Sequence, residues 1–320
     1  RETNPLLSRQ PGIVAFSKVL TESNTTHKSV PMLMSDITAC NFDSIYHQKG
    51  IITAFKEAGY QTAFFSNQRY NHSFIDFFGK EADTFDFIKE DSLDSAYNPS
   101  DDELLALVAK ELSKGNQKQF IVLHTYGSHF NYRERYPSED AFFLPDYPVE
   151  AEVKYRDNLV NAYDNTIRYT DSFLSRLIHM LEEQHVDAAM LYTSDHGEDI
   201  FDDSRHLFLH ASPVPSYYQL HVPFLIWMSD TYREAYPEHW QTVTGNKDKD
   251  VSSSCSFFPT MLELGGVQTS YRNDSSSVVS PLYTMKPRIY LNDHNEPRPL
   301  DDLGMKQPDF QKCQVLGIKY

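Results

Sequence analysis

The sequence predicts an α/β fold in which a mainly parallel central sheet is flanked by helices on both faces. Helical segments and short, continuously apolar runs alternate along the chain, which is the pattern of βαβ units. The apolar runs show little polar alternation, as expected for parallel strands that are covered on both faces. The chain has 320 residues, a length that allows one large or two ordinary domains. We expect residues 1–320 to form a single domain.

The elements in the first half follow from local signals. Residues 50–60 have helical spacing and close on Gly59, a natural C-cap, and "QTAFFSN" at 61–67 is a short run rich in β-forming residues. Residues 100–115 open on Ser and Asp and close on Gly115, which predicts a helix. A second buried strand then begins in "KQFIVLHTYGSH" at 118–129.

The second half repeats the pattern. Residues 150–185 form a long amphipathic stretch without Gly or Pro, which predicts one helix. Buried strands are predicted in "DAAMLYTSDHGE" at 187–198 and "QLHVPFLIWMS" at 219–229, and a short helix in 255–266. The polar residues between them, 229–254, are interpreted as a surface excursion and not as a domain linker.

Three of the predicted strands end in reactive side chains. The strand ends carry Ser66-Asn67-Gln68, the segment from His124 to His129, and the pair Asp195-His196. Because ligands of open α/β sheets bind at the carboxyl ends of the strands, we expect these groups to face one crevice.

The stretch "YTSDHGEDIFDDSRHLFLH", 192–210, is the strongest candidate for a metal site. Asp195 and His196 are adjacent oxygen and nitrogen donors, and His206 and His210 follow. Carboxylate and neutral imidazole suit Zn²⁺ or Mn²⁺. The alternative interpretation is a solvated loop with surface histidines, and His129 taken alone is as well explained by a hydrogen-bonded structural role.

"TESNTTHKSVPMLMS", 21–35, offers a candidate nucleophile. Thr26 precedes "SVP", and "PMLMS" has the form of a first helical turn with Pro at its start. A hydroxyl near a helix N-terminus sees the positive end of the dipole and free backbone N–H groups, which suits attack on phosphorus. An ordinary Thr cap would give the same pattern.

Composition limits the possible partners. The formal net charge of −16 argues against nucleic-acid binding, which depends on neutralising phosphates. Three widely spaced cysteines form no metal-binding motif; we expect idle thiols, with one bridge as the alternative. The longest apolar runs are too short to cross a bilayer, and the chain opens without Met, so we expect an excised soluble fragment.

The segments "TTHKSVP", "LHTYGSH", "NAYDNTIRYTD" and "YTSDHGE…LH", in this order and spacing, resemble the phosphoethanolamine transferases of the alkaline-phosphatase/sulfatase superfamily. These include the lipid A modifying and mobile colistin-resistance enzymes. The opening "RETNPLLSRQ" resembles the family's segment just after its first strand. The resemblance covers most of the chain to about residue 230 and continues weakly through "SFFPTMLEL".

The resemblance implies a role for each matching residue. Thr26 matches the nucleophile that becomes phosphoethanolaminylated and touches the metal, with Thr25 as the nearest wrong choice. Asp195 and His196 match zinc ligands, with one or two ions expected. Two pocket histidines, His129 and His210, match groups that bind phosphate or a second zinc and act in catalysis; His206 and Asn67 are further candidates for substrate binding.

The implied reaction transfers phosphoethanolamine from phosphatidylethanolamine, through Thr26, to lipid A or another cell-envelope glycan. The implied location is the bacterial inner membrane, with the catalytic domain in the periplasm and a membrane contact through a missing N-terminal segment. Two departures stand out: the family's Glu ligand would lie upstream of Arg1, and Met32 stands where relatives carry a disulfide Cys.

Other functions remain open from sequence. Glycerol-phosphate transfer would use the same Thr and zinc chemistry. A phosphodiester or sulfate-ester hydrolase of the superfamily is a second alternative, although a type I sulfatase requires an Arg that "TTHKSVP" lacks. A binding ectodomain with a degenerate site is the alternative from a different class of protein.

Overall fold

The computed structural model describes residues 1–89, 98–115 and 118–320. The strands in these ranges are β1 Ile13–Phe16, β2 Val19–Leu20, β3 Gln61–Ser66, β4 Thr84–Phe87, β5 Gln119–His124, β6 Ala189–Thr193, β7 Asp199–Ile200, β8 Phe208–Leu209, β9 Phe224–Met228, β10 Val251–Ser252, β11 Ile289–Leu291 and β12 Pro297–Pro299. The α-helices are α1 Thr26–Met34, α2 Ile51–Glu57, α3 Phe74–Gly79, α4 Glu103–Leu112, α5 Arg156–Glu182, α6 Tyr217–Leu220, α7 Asp230–Ala235, α8 Pro237–Asn246, α9 Ser253–Leu264 and α10 Gln307–Leu316.

Two three-stranded sheets carry the main core. One has the order β4-β3-β5 and is parallel throughout. The other has the order β1-β9-β6, and its central strand β9 runs antiparallel to both neighbours. The predicted α/β class is confirmed, and the antiparallel β9 is a feature that its apolar composition did not indicate.

Helices cover both faces of the β4-β3-β5 sheet, as predicted. Strand β3 shows why, because successive side chains point to opposite faces. Phe64 packs into a cluster with residues of α1, α2, α3 and α9, whereas Ala63 and Phe65 pack into a second cluster with α4 and α5. The second cluster also contains Trp227 of β9, so the two sheets share one core.

The predicted excursion at 229–254 is more regular than expected. It contains α7, α8 and the short strand β10. Pro237 opens α8 at a first-turn position, where its missing N–H costs no hydrogen bond. Tyr232 and Val243 are buried in the core, which holds both helices against the domain. The segment therefore packs against the domain through a few residues, while most of its other side chains between 230 and 249 are exposed or half-buried.

Helix α1 begins earlier than predicted. Its first residue is Thr26 and its N-cap is Thr25, so Pro31 lies inside the helix and not at its start. This start favours the predicted chemistry, because Thr26 itself occupies the first helical turn.

None of the helices in the described ranges combines the length and apolarity needed to cross a bilayer. All three cysteines are free thiols, as expected.

Candidate active site

Thr26 and His196 meet where α1 begins and β6 has just ended. The Oγ1 atom of Thr26 lies 3.0 Å from Nε2 of His196. Asp195 is next to His196 in sequence, and its Oδ2 lies 3.4 Å from the same Nε2. The structure thus brings together the three residues that the sequence proposed as nucleophile and metal ligands.

The hydrogen bonds of His196 determine which ring nitrogen faces Thr26 as an acceptor. Nδ1 lies 3.0 Å from the carbonyl oxygen of Gly197, and a carbonyl can only accept. Nδ1 therefore carries a proton, and in the neutral ring Nε2 presents a lone pair. In this arrangement the hydroxyl of Thr26 donates a hydrogen bond to that lone pair.

The surroundings of Asp195 fit a bound cation. Its Oδ2 is buried and makes no hydrogen bond within the described residues. It lies 3.4 Å from Nε2 of His196, close enough for one cation to bind both atoms. Asp and His are both zinc ligands. The described residues contain no cluster of three or more His, Cys, Asp and Glu side chains that could hold a metal ion. The Oγ1 atom of Thr26, 3.0 Å from Nε2 of His196, is a further oxygen donor at this point.

His210 lies beside His196, with ring centroids 4.2 Å apart. Its Nδ1 donates to Oε1 of Glu198 at 3.0 Å. Glu198 also accepts a hydrogen bond from the buried hydroxyl of Tyr132. Burial, with the Glu198 charge as the second cause, raises the pKa of Tyr132 well above its usual range, so the phenol remains a donor. The hydrogen bonds from Tyr132 to Glu198 and from His210 to Glu198 fix the orientation of His210, and its Nε2 remains available for a ligand.

His129 completes a row of three imidazoles. Its ring centroid is 5.8 Å from that of His210, and its Nδ1 donates to the carbonyl of Phe130 at 2.5 Å. As in the other two rings, the backbone or carboxylate partner occupies Nδ1, so Nε2 is the available atom. The three histidines therefore share one protonation pattern, which is the pattern of imidazoles held for metal or phosphate binding.

The backbone of α1 adds donors to the site. The amides at the start of an α-helix have no partners within the helix, and they suit an anion such as phosphate. Lys28, in the same turn, is buried and donates from Nζ to the carbonyl of Asn292 at 2.6 Å. Burial lowers the pKa of Lys28 from its usual value.

Asn67 directly follows β3, and its amide nitrogen is occupied by protein partners, whereas its Oδ1 is buried without a hydrogen-bond partner among the described residues. Its Nδ2 donates to the carbonyl of Pro99 and to Oδ1 of Asp101, at 3.0 and 2.8 Å. Asp101 in turn accepts from the backbone N–H groups of Tyr126 and Gly127. This arrangement supports the loop that leads to His129. A direct contact between Asn67 and substrate stays a prediction.

His206 lies just before β8, whereas His210 follows that strand, and His206 is outside the row of rings. It has a positive φ of 51°, and its backbone N–H donates to the carbonyl of Asp203 at 3.0 Å. The ring contacts that the structure describes join His129, His196 and His210, and His206 is not among them. A role for His206 in substrate binding therefore stays a prediction.

Sequence reasoning missed the residues that hold the site in place. Glu198 stood in the same short motif as His196, and its two-residue spacing was the available signal. Asn24, two residues before Thr26, and Gln219 gave no signal, because their mutual contact joins segments 195 residues apart.

The sulfatase family model matches residues 1–267 of the chain. Among curated proteins, the chain is similar to the phosphoethanolamine transferase EptA of Salmonella typhimurium. The two are 28% identical over 290 residues, which cover 88% of this chain and 52% of that protein. The chain thus spans about half the length of the curated relative.

Solved structures share the fold. The zinc complex of the periplasmic domain of EptC from Escherichia coli superimposes with a TM-score of 0.85 at 23% identity, covering 95% of this chain and 87% of that chain. The integral membrane lipooligosaccharide phosphoethanolamine transferase A of Neisseria meningitidis gives a TM-score of 0.78 at 26% identity, covering 87% of this chain and 53% of that chain.

Proposed function

The chain belongs to the sulfatase family, and we propose that it is the catalytic part of a metal-dependent phosphoethanolamine transferase. The donor is phosphatidylethanolamine, and the acceptor is lipid A or another cell-envelope glycan. One observation carries the proposal: a hydroxyl in the first turn of α1 lies 3.0 Å from Nε2 of His196, close enough for one metal ion to bind both atoms. Its similarity to EptA and to a lipooligosaccharide-modifying enzyme supports the choice of group and acceptor.

In the first half-reaction Thr26 attacks the phosphorus of the donor. A bond forms between Oγ1 and phosphorus, and the bond from phosphorus to the diacylglycerol oxygen breaks. Thr26 gives up its hydroxyl proton, and the departing diacylglycerol oxygen takes one up. The backbone N–H groups at the start of α1 are placed to bind the phosphoryl oxygens, whose charge is greatest during the transfer.

Asp195, His196 and Thr26 would hold the metal, for which zinc is the best candidate. When bound, zinc lowers the pKa of a coordinated hydroxyl and neutralises phosphoryl charge. The unpartnered Oδ2 of Asp195 supports this assignment. The zinc complex of the similar EptC domain supports the choice of element. One or two zinc ions, or Mn²⁺, are compatible with the same donor types.

His210 and His129 handle the protons and the anionic oxygens of the substrate. Each ring has its Nδ1 proton held by a protein acceptor, so Nε2 can take or give a proton. In the second half-reaction an acceptor oxygen attacks phosphorus, the bond to Thr26 breaks, and Thr26 regains its proton. The two steps form a ping-pong cycle with a covalent intermediate.

We further propose that the domain acts in the periplasm, at the surface of the bacterial inner membrane. A phospholipid donor is held in a bilayer, so the site must reach headgroups at its surface. The similarity to a periplasmic domain and to an integral membrane enzyme supports this location.

The test uses donor lipids with a labelled headgroup and lipid A as acceptor. The protein is incubated with zinc and vesicles of phosphatidylethanolamine or phosphatidylglycerol. The proposal expects label on lipid A from phosphatidylethanolamine alone. Transfer from phosphatidylglycerol alone would replace it with glycerol-phosphate transfer, and release of free phosphoethanolamine into water would identify a hydrolase.

A further inference from the structure

Asn24 joins the segment that leads into α1 and Thr26 to the segment that carries His210. It is buried, and its Nδ2 donates to the carbonyl of Ser212 at 2.9 Å and to Oε1 of Gln219 at 2.6 Å. Its own carbonyl accepts from the N–H of Ala211 at 3.2 Å. Asn24 lies two residues before the nucleophile, and Ala211 and Ser212 immediately follow His210.

Gln219 reaches the same loops from the other side. Its Nε2 donates to Oδ2 of Asp199 at 2.6 Å and to the hydroxyl of Ser212 at 2.9 Å, and it also lies 3.3 Å from the carbonyl oxygen of Leu209. Its backbone carbonyl accepts from the N–H of Gly197 at 2.9 Å, directly after His196. One fully buried residue therefore contacts the segments that carry His196 and His210, and through Asn24 the segment that carries Thr26.

Two further features keep this arrangement in a single geometry. The side-chain oxygen of Asn24 accepts from the hydroxyl of Tyr290 at 2.7 Å, so all polar atoms of its amide are used. Gly197 packs so closely that an added Cβ would lie 2.1 Å from the carbonyl oxygen of Tyr218. A buried network with every member satisfied is rigid, because each alternative arrangement would leave a polar group without a partner.

We propose that Asn24 and Gln219 are positioning residues that set the distance between Thr26 and the histidines His196 and His210. The inference rests on the proposed transfer reaction, in which Thr26 must attack while both rings keep their orientation. Neither residue contacts the reacting atoms in this account. They act on the alignment of the start of α1, which carries Thr26. Misalignment of a reacting group by about 1 Å costs roughly 100-fold in rate.

The first test measures single-turnover labelling of the protein by phosphatidylethanolamine. The variants are Asn24→Asp, which keeps the acceptor for Tyr290 but loses the amide donor, and Gln219→Ala. We expect labelling rates to fall by about 10- to 100-fold with the KM for the donor nearly unchanged, because binding of the lipid is not disturbed. The double variant should be little slower than the worse single variant, because both changes break the same link.

Asn246→Asp is the matched control. Asn246 is also buried, and its Nδ2 also donates to two carbonyls, those of Val278 and Ser280, but it lies in α8. It should keep the wild-type labelling rate even if its melting temperature falls. If Asn24→Asp and Asn246→Asp lose rate only in proportion to lost folded protein, the positioning role is overturned.

A second test does not need turnover. Side-chain ¹⁵N NMR reports the protonation pattern of His210, a ring that Asn24 does not touch. We expect the His210 nitrogen signals to shift in Asn24→Asp and to stay unchanged in Asn246→Asp. An unchanged His210 spectrum in Asn24→Asp would overturn the inference. If the wild type is never labelled by the lipid, the proposed function fails, whereas the NMR result still decides whether the loops are coupled.

Discussion

Glu198 and His210 form the closest carboxylate–imidazole pair of the site, with Oε1 3.0 Å from Nδ1. The other carboxylate oxygen of Glu198, Oε2, accepts a hydrogen bond from the hydroxyl of Tyr132. The pair fixes which nitrogen of His210 is protonated, and a carboxylate in this position also increases the basicity of the ring.

Removing the negative charge of Glu198 while keeping the size of its side chain should slow the transfer reaction. In Glu198→Gln the amide can still contact Tyr132 and His210, but it no longer fixes the His210 tautomer. We expect transfer to fall by about 10- to 100-fold with little change in melting temperature. Glu134→Gln, which changes an exposed carboxylate in the same region, is the control. Equal activity of the two variants would show that His210 does not need its carboxylate partner.

Asp199 should make the stability depend on pH. Burial raises its pKa from 3.8 to about 6, although hydrogen bonds from Ser216 and Gln219 oppose the shift. Between these values the folded state holds a proton that the unfolded chain has released. The free energy of unfolding therefore falls as pH rises from about 4 to about 6, and little further change from Asp199 follows above that range.

The variant Asp199→Asn isolates this contribution, because an amide does not ionise. Asp36 titrates in the same window, since burial raises its pKa to about 6 as well. The informative quantity is thus the difference between the variant and the wild type in urea unfolding at pH 4.5 and 6.5. The wild type should lose more stability than the variant over this interval. Parallel losses would mean that Asp199 does not bind the proton.

Asp309 should contribute strongly to stability. It is fully buried in α10, and its carboxylate forms a bidentate ion pair with the guanidinium of Arg205, with hydrogen bonds of 2.7 and 2.8 Å. Asp309→Ala leaves the Arg205 charge without this partner and should cost about 3 kcal/mol or more in denaturant unfolding. Glu57→Ala, which breaks an exposed pair with Lys49, should leave stability nearly unchanged. Similar losses in both variants would contradict the assignment.

Metal binding should depend on Asp195. In Asp195→Asn the unpartnered anionic oxygen is lost, and we expect zinc affinity to fall at least about 10-fold in a competition titration with a chelating dye. Asp187→Asn is a suitable control because Asp187 is an exposed carboxylate just before β6. Zinc should also raise the melting temperature of the wild type more than that of Asp195→Asn. Identical titrations for Asp195→Asn and the wild type would place the metal elsewhere.

The parts of the fold that sequence predicted well are those with strong local signals. The apolar runs at β3, β5 and β6 were recognised as strands, and the polar residues after β5 and β6 include the site residues His129, Asp195 and His196. The long helix was predicted at 150–185 and is observed as Arg156–Glu182. In each case a periodic or continuous apolar pattern identified the element, although β5 and β6 are mostly half-buried and not buried as predicted.

The parts that sequence missed depend on contacts between distant segments. The direction of β9 is set by pairing with β1 and β6, and composition carries no direction. Helices α7 and α8 are mostly polar, and the packing of Tyr232 and Val243 holds them in place. The pairing of Asn24 with Gln219 has no local signature, because it joins two segments 195 residues apart.

The central claim is that Thr26 forms a covalent bond to phosphorus. The most direct measurement is peptide mass spectrometry of the protein after incubation with zinc and phosphatidylethanolamine vesicles, with Thr26→Ala and Thr25→Ala alongside. Both substitutions remove one hydroxyl and should cost about 1 kcal/mol of stability or less. The account predicts one added phosphoethanolamine group on the Thr26 peptide of the wild type and Thr25→Ala, and none in Thr26→Ala. Labelling that persists in Thr26→Ala but disappears in Thr25→Ala would contradict it.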